Sequence, residues 1–222
     1  MTRRNSLMVI AIIGCVVMSI VDAIIQPDYA VKSAIKIVVF LALPIFYAMW
    51  DKSVDLKAFL LPKKEGILLA IGLGVGIYVL IVGAYLLLEN VFDFSAVTTT
   101  LEDTIEVDAG NFVWVAIYIS FANSLLEEFF FRGFAFLSLK KVSSRKFAYC
   151  FSALIFSLYH IAMMIGWFEV ELILLVIVGL FVGGLIFNFF NEKTGNIYIS
   201  WLVHMCANFA INTVGFILFG MI

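Results

Sequence analysis

The chain has 222 residues, of which 64% are hydrophobic and only 14% are charged, and its mean hydropathy is +1.11. A soluble domain needs far more polar surface to cover its core, so this composition excludes a soluble globular protein and predicts a membrane protein. The formal net charge is −2, and the sequence has no cluster of basic residues that would indicate a nucleic-acid partner.

Seven apolar stretches are each long enough to cross a bilayer, since a helix needs roughly 20 residues to span the hydrocarbon layer. The first follows Arg3 and Arg4, and its length predicts a retained signal-anchor helix rather than a cleaved signal peptide. The fourth is longer than one crossing requires, so we expect it to tilt or to extend beyond the lipid. The predicted spans are residues 7–25, 31–50, 66–88, 111–139, 147–165, 170–190 and 197–219.

These spans predict an all-α fold, a polytopic transmembrane helical bundle of about seven spans (seven or eight). Residues 1–222 are interpreted as a single integral membrane domain. Within it, residues 1–110 hold the N-terminal spans and an acidic outer loop, and residues 111–219 hold the core with the polar motifs. We expect the functional site between the core helices of this C-terminal half.

Charge asymmetry orients the spans. Most basic residues lie in alternate connections, whereas the connection 89–110 carries six acids and no base. The positive-inside rule therefore predicts a cytoplasmic N-terminus and an outer C-terminus. Lys32 and Lys36 are the exception at the outer end of the second span, where we expect both to snorkel outward, with Asp22 at the interface.

Two GxxxG patterns fall inside predicted spans. Gly72 and Gly76 lie in the third span, and Gly179 and Gly183 lie in the sixth. Small residues at this spacing allow close helix contact, so both patterns predict helix–helix packing.

Ionisable side chains inside the hydrocarbon layer are rare, because each costs roughly 2.5–3.5 kcal/mol on insertion scales, and they mark functional sites by default. Five such residues stand out inside the predicted spans of the C-terminal half, and the chain's only two histidines are among them. A neutral amide joins them one turn beyond the second histidine. The set is Glu127, Glu128, Arg132, His160, His204 and Asn208.

The two adjacent acids cannot face one cavity equally on an ordinary helix, because neighbouring side chains point about 100° apart. Arg132 follows Glu128 by four residues, the spacing of an ion pair on one helix face. We therefore assign Glu128 and Arg132 to a partly structural ion pair and Glu127 to chemistry. The reverse assignment stays open, since a cavity could lie between the two directions.

Two further helices repeat the four-residue spacing. Phe156 and His160 share one helix face, and so do His204 and Asn208. Counted from the cytoplasmic ends of their spans, Glu127, His160 and Asn208 lie at similar depth, and His204 lies about one turn nearer the cytoplasm. Three helices could therefore bring these groups to one layer of the membrane.

A carboxylate beside an imidazole can act as a general base on water, and a second imidazole and an amide can stabilise an oxyanion. Glu127, His160 and His204 would also be a zinc ligand set, although the helical H-E-x-x-H pattern is absent. The sequence thus permits zinc but requires no cofactor. Each residue alone could equally have a structural role in holding helices together, and only the coincidence of all of them favours a functional site.

With these motifs, the chain resembles the CAAX prenyl protease and bacteriocin-processing (CPBP, Abi) family of intramembrane endopeptidases. The family signatures stand here in order as Glu127-Glu128-x-x-x-Arg132, Phe156-x-x-x-His160 and His204-x-x-x-Asn208. The resemblance implies that Glu127 and His160 activate the attacking water and that His204 and Asn208 stabilise the oxyanion. Family members have been described both as metalloproteases and as metal-free glutamate proteases.

The resemblance implies an intramembrane endopeptidase of a bacterial cell membrane, acting on a membrane-associated protein or peptide. The compact chain is more similar to the prokaryotic branch, associated with peptide maturation and bacteriocin immunity, so prenylated substrates are not expected. One alternative is a non-catalytic immunity or scaffold protein. Another is a small transporter that uses the buried acids as a proton relay. The sequence leaves the oligomeric state open.

Overall fold

The computed structural model describes residues 2–222, and within them it contains helices and no strand. Seven helices are long and apolar enough to cross a membrane, which confirms the predicted all-α bundle and the number of spans. An eighth, shorter helix lies in the acidic connection. In chain order they are α1 Arg3–Ile25, α2 Tyr29–Trp50, α3 Ile67–Leu88, α4 Ser95–Ile105, α5 Phe112–Ser138, α6 Arg145–Met164, α7 Val170–Thr194 and α8 Tyr198–Leu218.

The helix ends follow ordinary capping chemistry. The Asp28 carboxylate accepts hydrogen bonds from the backbone N–H groups of Ala30 and Val31 at the start of α2. Ser144 caps α6 in the same way through the N–H of Phe147. Gly195 ends α7 with a φ of 67°, a conformation that glycine adopts without strain.

Helix α5 is the centre of the bundle. Helices α1, α2, α6, α7 and α8 all pack against it, whereas α3 packs mainly against α8 at the periphery. Every residue from Leu126 to Phe136 on α5 is buried. Its phenylalanine rings pack against aromatic rings of α2 and α6, as in the stack of Phe40 on Phe130 with centroids 4.1 Å apart. The polar motif of α5 therefore lies in the most enclosed part of the molecule.

Much of α5 is wider than an α-helix. Residues Ile119–Asn123 and Glu128–Ser138 form π-helical segments, with hydrogen bonds to the fifth residue along the chain. A wider helix rises less per residue, so the 27 residues of α5 fit a shorter path than an α-helix of that length. This geometry shortens α5, whose sequence is longer than one crossing of the bilayer requires.

The GxxxG prediction is wrong for packing within the chain. A Cβ added at Gly72, Gly76, Gly179 or Gly183 would meet nothing within 4 Å. Close approaches occur instead at other glycines, such as Gly184, where an added Cβ would lie 3.0 Å from the Cα of Ala153 on α6. Helix rotation, which the spacing of glycines alone does not report, decides which of them face a neighbour.

Lys32 pairs with Asp22 instead of extending to water alone, and the interfacial depth of Asp22 stays a prediction. The Asp22 side chain has 0% exposure, and its Oδ1 lies 2.6 Å from the Nζ of Lys32. This ion pair ties α1 to α2 because each charge finds its partner across the helix contact rather than in water.

Candidate active site

Two histidines from different helices face one carboxylate oxygen of Glu127 on a third helix. The Oε2 of Glu127 on α5 lies 3.9 Å from the Nε2 of His160 on α6 and 3.7 Å from the Nε2 of His204 on α8. Glu127 is 2% exposed, and the two histidine side chains are 14% and 9% exposed. Three helices therefore bring Glu127, His160 and His204 together, and their common depth in the membrane stays a prediction.

The second ring nitrogen of each histidine has a partner of its own. The Nδ1 of His160 lies 2.7 Å from the carbonyl oxygen of Phe156, one turn earlier on α6. The Nδ1 of His204 lies 2.9 Å from Oε1 of Glu128. A carbonyl only accepts hydrogen bonds, so Nδ1 of His160 carries the proton and Nε2 of the neutral ring presents its lone pair.

Glu128 contacts both the histidine His204 and its ion-pair partner Arg132. Its Oε2 accepts a hydrogen bond from the Ser200 hydroxyl at 2.5 Å and lies 3.6 Å from Nε of Arg132, while Oε1 faces His204. The expected separation of the two acids is therefore only partly correct. Both acids keep α-helical backbone angles, and His204 reaches both because its Nε2 faces Glu127 and its Nδ1 faces Glu128.

Arg132 is held by aromatic rings. Its guanidinium carbon lies 4.0 Å from the ring centroid of Phe156 and 5.2 Å from that of Phe187, and its side chain has 0% exposure. Cation–π attraction of this kind strengthens when the cation is removed from water. Phe156 thus serves twice, since its ring supports Arg132 and its carbonyl fixes the tautomer of His160.

Asn208 is buried on α8, one turn beyond His204. Its amide donates to the carbonyl oxygen of Ile119 at 3.1 Å, next to the first π-helical segment of α5. Asn212 and Trp201 of α8 donate to the carbonyl oxygens of Ala116 and Phe121 on the same helix. These side chains supply partners for carbonyl groups of the wide helix and fix α8 against α5.

Lys36 is the residue that the sequence analysis missed. Its Nζ lies 2.5 Å from Oε1 of Glu127 and 2.6 Å from Oδ1 of Asn123, and the whole residue is only 4% exposed. The expectation that it snorkels outward is therefore wrong. The one available signal was its four-residue spacing from Lys32, which places a second lysine deeper in the apolar span.

The charges of the site balance. Two carboxylates, Glu127 and Glu128, face two cations, Lys36 and Arg132, with His204 lying between the acids. Unpaired charges are costly in a low-dielectric environment, so mutual compensation allows four ionised groups inside the bundle.

The residues do not fit a metal centre as arranged. Among residues 2–222, no group of three His, Cys, Asp or Glu side chains has the geometry to hold a metal ion. In addition, Oε1 of Glu127 already contacts the ammonium group of Lys36, which repels a cation.

The order and position of the motifs agree with one protein family. Residues 109–210 match the family model described as type II CAAX prenyl endopeptidase Rce1-like. This segment of the chain is Rce1-like. The match contains the three motifs and confirms the resemblance to CAAX protease-like intramembrane endopeptidases. No curated protein and no solved structure matches the chain significantly.

The Rce1-like family is a protease family, which supports protease activity for this chain within a multi-pass bundle. Lys36 lies outside the Rce1-like segment, on α2, whereas Asn123, His160 and His204, which also face Glu127, lie within it.

Proposed function

We propose that the protein is an intramembrane endopeptidase that hydrolyses a peptide bond by direct attack of water, without a covalent intermediate. The observation that carries this proposal is the convergence of two histidine Nε2 atoms on one carboxylate oxygen of Glu127, at 3.9 and 3.7 Å. The Rce1-like segment supports the same class of reaction.

The distances suit a water molecule between these groups. A separation of 3.7–3.9 Å is too long for a direct hydrogen bond, but a water can donate one proton to each of two such acceptors. Glu127 and the lone pair of His160 Nε2 would then polarise the water as it attacks the carbonyl carbon of the substrate. Glu127 takes the proton and later passes it to the leaving amine.

His204 and Asn208 would stabilise the oxyanion that forms on the substrate carbonyl. Glu128 holds the Nδ1 of His204, and an N–H at its Nε2, which faces the same carboxylate oxygen as His160, would donate to the oxyanion. Asn208 uses one amide N–H on the carbonyl of Ile119, and an amide carries a second N–H that can donate to the oxyanion.

The enclosure of the site argues for a substrate that is itself embedded in the membrane. Glu127 is 2% exposed and lies within an apolar span, so a peptide must leave water to reach it. We propose a membrane-associated protein or peptide without a prenyl group, cleaved toward the cytoplasmic half of the bilayer. We propose a cytoplasmic N-terminus and an outer C-terminus, as the charge asymmetry of the connections favours.

Comparison of peptides from cells with the wild type or Glu127→Gln tests the proposal. Glutamine keeps the size of the side chain but is not a base, so we expect an uncleaved precursor to accumulate in the variant. Glu171→Gln, an exposed change in the first turn of α7, is the matched control and should process the precursor normally. Full biological function of Glu127→Gln would instead favour a non-catalytic immunity or scaffold protein.

A purified enzyme assay separates the substrate classes. Internally quenched peptides, with and without a farnesylated C-terminal cysteine, are presented to the protein in proteoliposomes. We expect the wild type to hydrolyse unprenylated peptides and Glu127→Gln to hydrolyse none. Hydrolysis confined to the farnesylated peptide would contradict the proposed substrate class but not the proposed reaction.

A further inference from the structure

The two oxygens of the Glu127 carboxylate have different surroundings. Oε1 accepts hydrogen bonds from the Lys36 ammonium group at 2.5 Å and from the Asn123 amide at 3.1 Å. Oε2 faces only the two histidines. Asn123 is itself bound to Lys36 at 2.6 Å, so the three side chains form a closed triangle that fixes the orientation of the carboxylate.

We propose that Lys36 is a positioning residue for the hydrolytic reaction. Its ammonium group holds Oε1 of Glu127, and the carboxylate therefore directs Oε2 at His160 and His204. This inference rests on the proposed function and gives α2, which lies outside the Rce1-like segment, a part in the reaction.

The surroundings of Lys36 support this role over a purely structural one. The rings of Tyr159 and Phe40 flank the ammonium group, with centroids 5.2 and 5.6 Å from Nζ. Among residues 2–222, its one ion-pair partner is Glu127, the candidate base. Lys32, four residues earlier on α2, pairs instead with Asp22 of α1. The two lysines share a helix face but contact different carboxylates.

Removal of the ammonium group should affect turnover more than substrate binding. Without Lys36, the Glu127 carboxylate loses its fixed rotamer, and misplacement of a catalytic group by about 1 Å costs on the order of 10²-fold in rate. We expect Lys36→Met to lower kcat by about that factor and to change KM little. The Lys32→Met control should lose thermal stability and keep the kcat of the folded enzyme.

Chemical rescue distinguishes a missing ammonium group from a misfolded helix. In Lys36→Ala, propylamine replaces the deleted atoms, and we expect it to restore part of kcat in a concentration-dependent manner. The same amine should give Lys32→Ala no gain. The substrate in these kcat measurements is the internally quenched peptide that the wild type hydrolyses fastest. All variants are full-length proteins in proteoliposomes.

Thermal unfolding tests the pair independently of hydrolysis. Lys36→Met leaves Glu127 buried without a cation and should lower Tm, and adding Glu127→Gln should restore much of the loss. Two results would overturn only the inference about Lys36. One is that the Tm changes of the two variants are additive, and the other is that Lys36→Met keeps the wild-type kcat while Glu127→Gln is inactive. Equal peptide hydrolysis by the wild type and Glu127→Gln would instead overturn the proposed function and the inference together.

Discussion

Individual residues of the site act as one connected series. Lys36 contacts Glu127, Glu127 faces His204, His204 contacts Glu128, and Glu128 pairs with Arg132. Each carboxylate thus has a cation on one side and shares an imidazole on the other. Because each charge compensates its neighbours, a change at one position leaves another group buried without its partner.

Glu128→Gln provides the first test of this coupling. The variant leaves Arg132 without its anion in a fully buried site, and breaking such a pair costs about 3–5 kcal/mol. We expect a lower Tm and also a lower kcat, since His204 loses the carboxylate that orients its ring. Thermal unfolding and peptide hydrolysis measure the two effects.

The double variant Glu128→Gln/Arg132→Met serves as the control, because it removes both charges. Its Tm should recover, whereas its kcat should stay low. Recovery of both quantities would contradict the orienting role of Glu128 and leave it a structural residue.

Metal removal gives the second prediction at this scale. The ammonium group of Lys36 already balances the charge of Glu127, so hydrolysis should not require a cation there. We expect purified protein to retain its activity through treatment with a strong chelator, with metal content followed by elemental analysis. A loss of activity that zinc alone reverses would assign Glu127, His160 and His204 to a metal centre.

At the scale of helices, α5 and α8 are fitted to each other. The two neighbouring acids of α5 point in different directions, and the ring of His204 on α8 lies between them and faces both. Donors from α8 satisfy carbonyl groups in and beside the first wide segment, as Asn212 does for Ala116. The shape of α5 therefore depends on its pairing with α8.

Glycine packing gives a prediction at the same scale. Gly184→Ala places a Cβ 3.0 Å from the backbone of Ala153, and overpacking of this kind costs about 1–3 kcal/mol. Gly183→Ala, one residue earlier, meets nothing within 4 Å and should be neutral or slightly stabilising. Thermal unfolding compares the two variants, and an equal loss of Tm in Gly183→Ala would indicate a partner on that face.

On the scale of the whole molecule, the N-terminal helices are part of the same bundle as the Rce1-like segment. Helices α1 and α2 pack directly on α5, and α2 contributes Lys36 to the site. Most basic residues, Lys32 and Lys36 excepted, lie in connections that alternate with the side of the acidic connection and α4. This asymmetry supports a fixed orientation in the membrane.

Cysteine labelling tests the orientation. In a background without native cysteines, Glu102→Cys on α4 should react with an impermeant maleimide in intact cells. Lys141→Cys, between α5 and α6, should react only after permeabilisation. Both side chains are exposed, so burial does not limit either reaction. The opposite pattern would invert the proposed topology.

Much of the site could be predicted from particular residues. The cost of burying charge identified Glu127, Glu128, Arg132, His160 and His204, because few other roles justify such groups in a membrane span. Lys36 was missed for a physical reason: a lysine near a span end can either snorkel to water or turn inward to a carboxylate. Only the position of α5 beside α2 decides between the two.

The sequence by itself determined the seven spans, the depth of the polar residues and the motif order that marks the Rce1-like segment. Hydropathy and residue spacing carry that information because they are properties of one helix at a time. Tertiary structure decided the rotation of each helix and the widening of α5. These govern which glycines touch a neighbour, why Glu128 reaches His204 and why Lys36 pairs with Glu127, since each of these depends on contacts between helices.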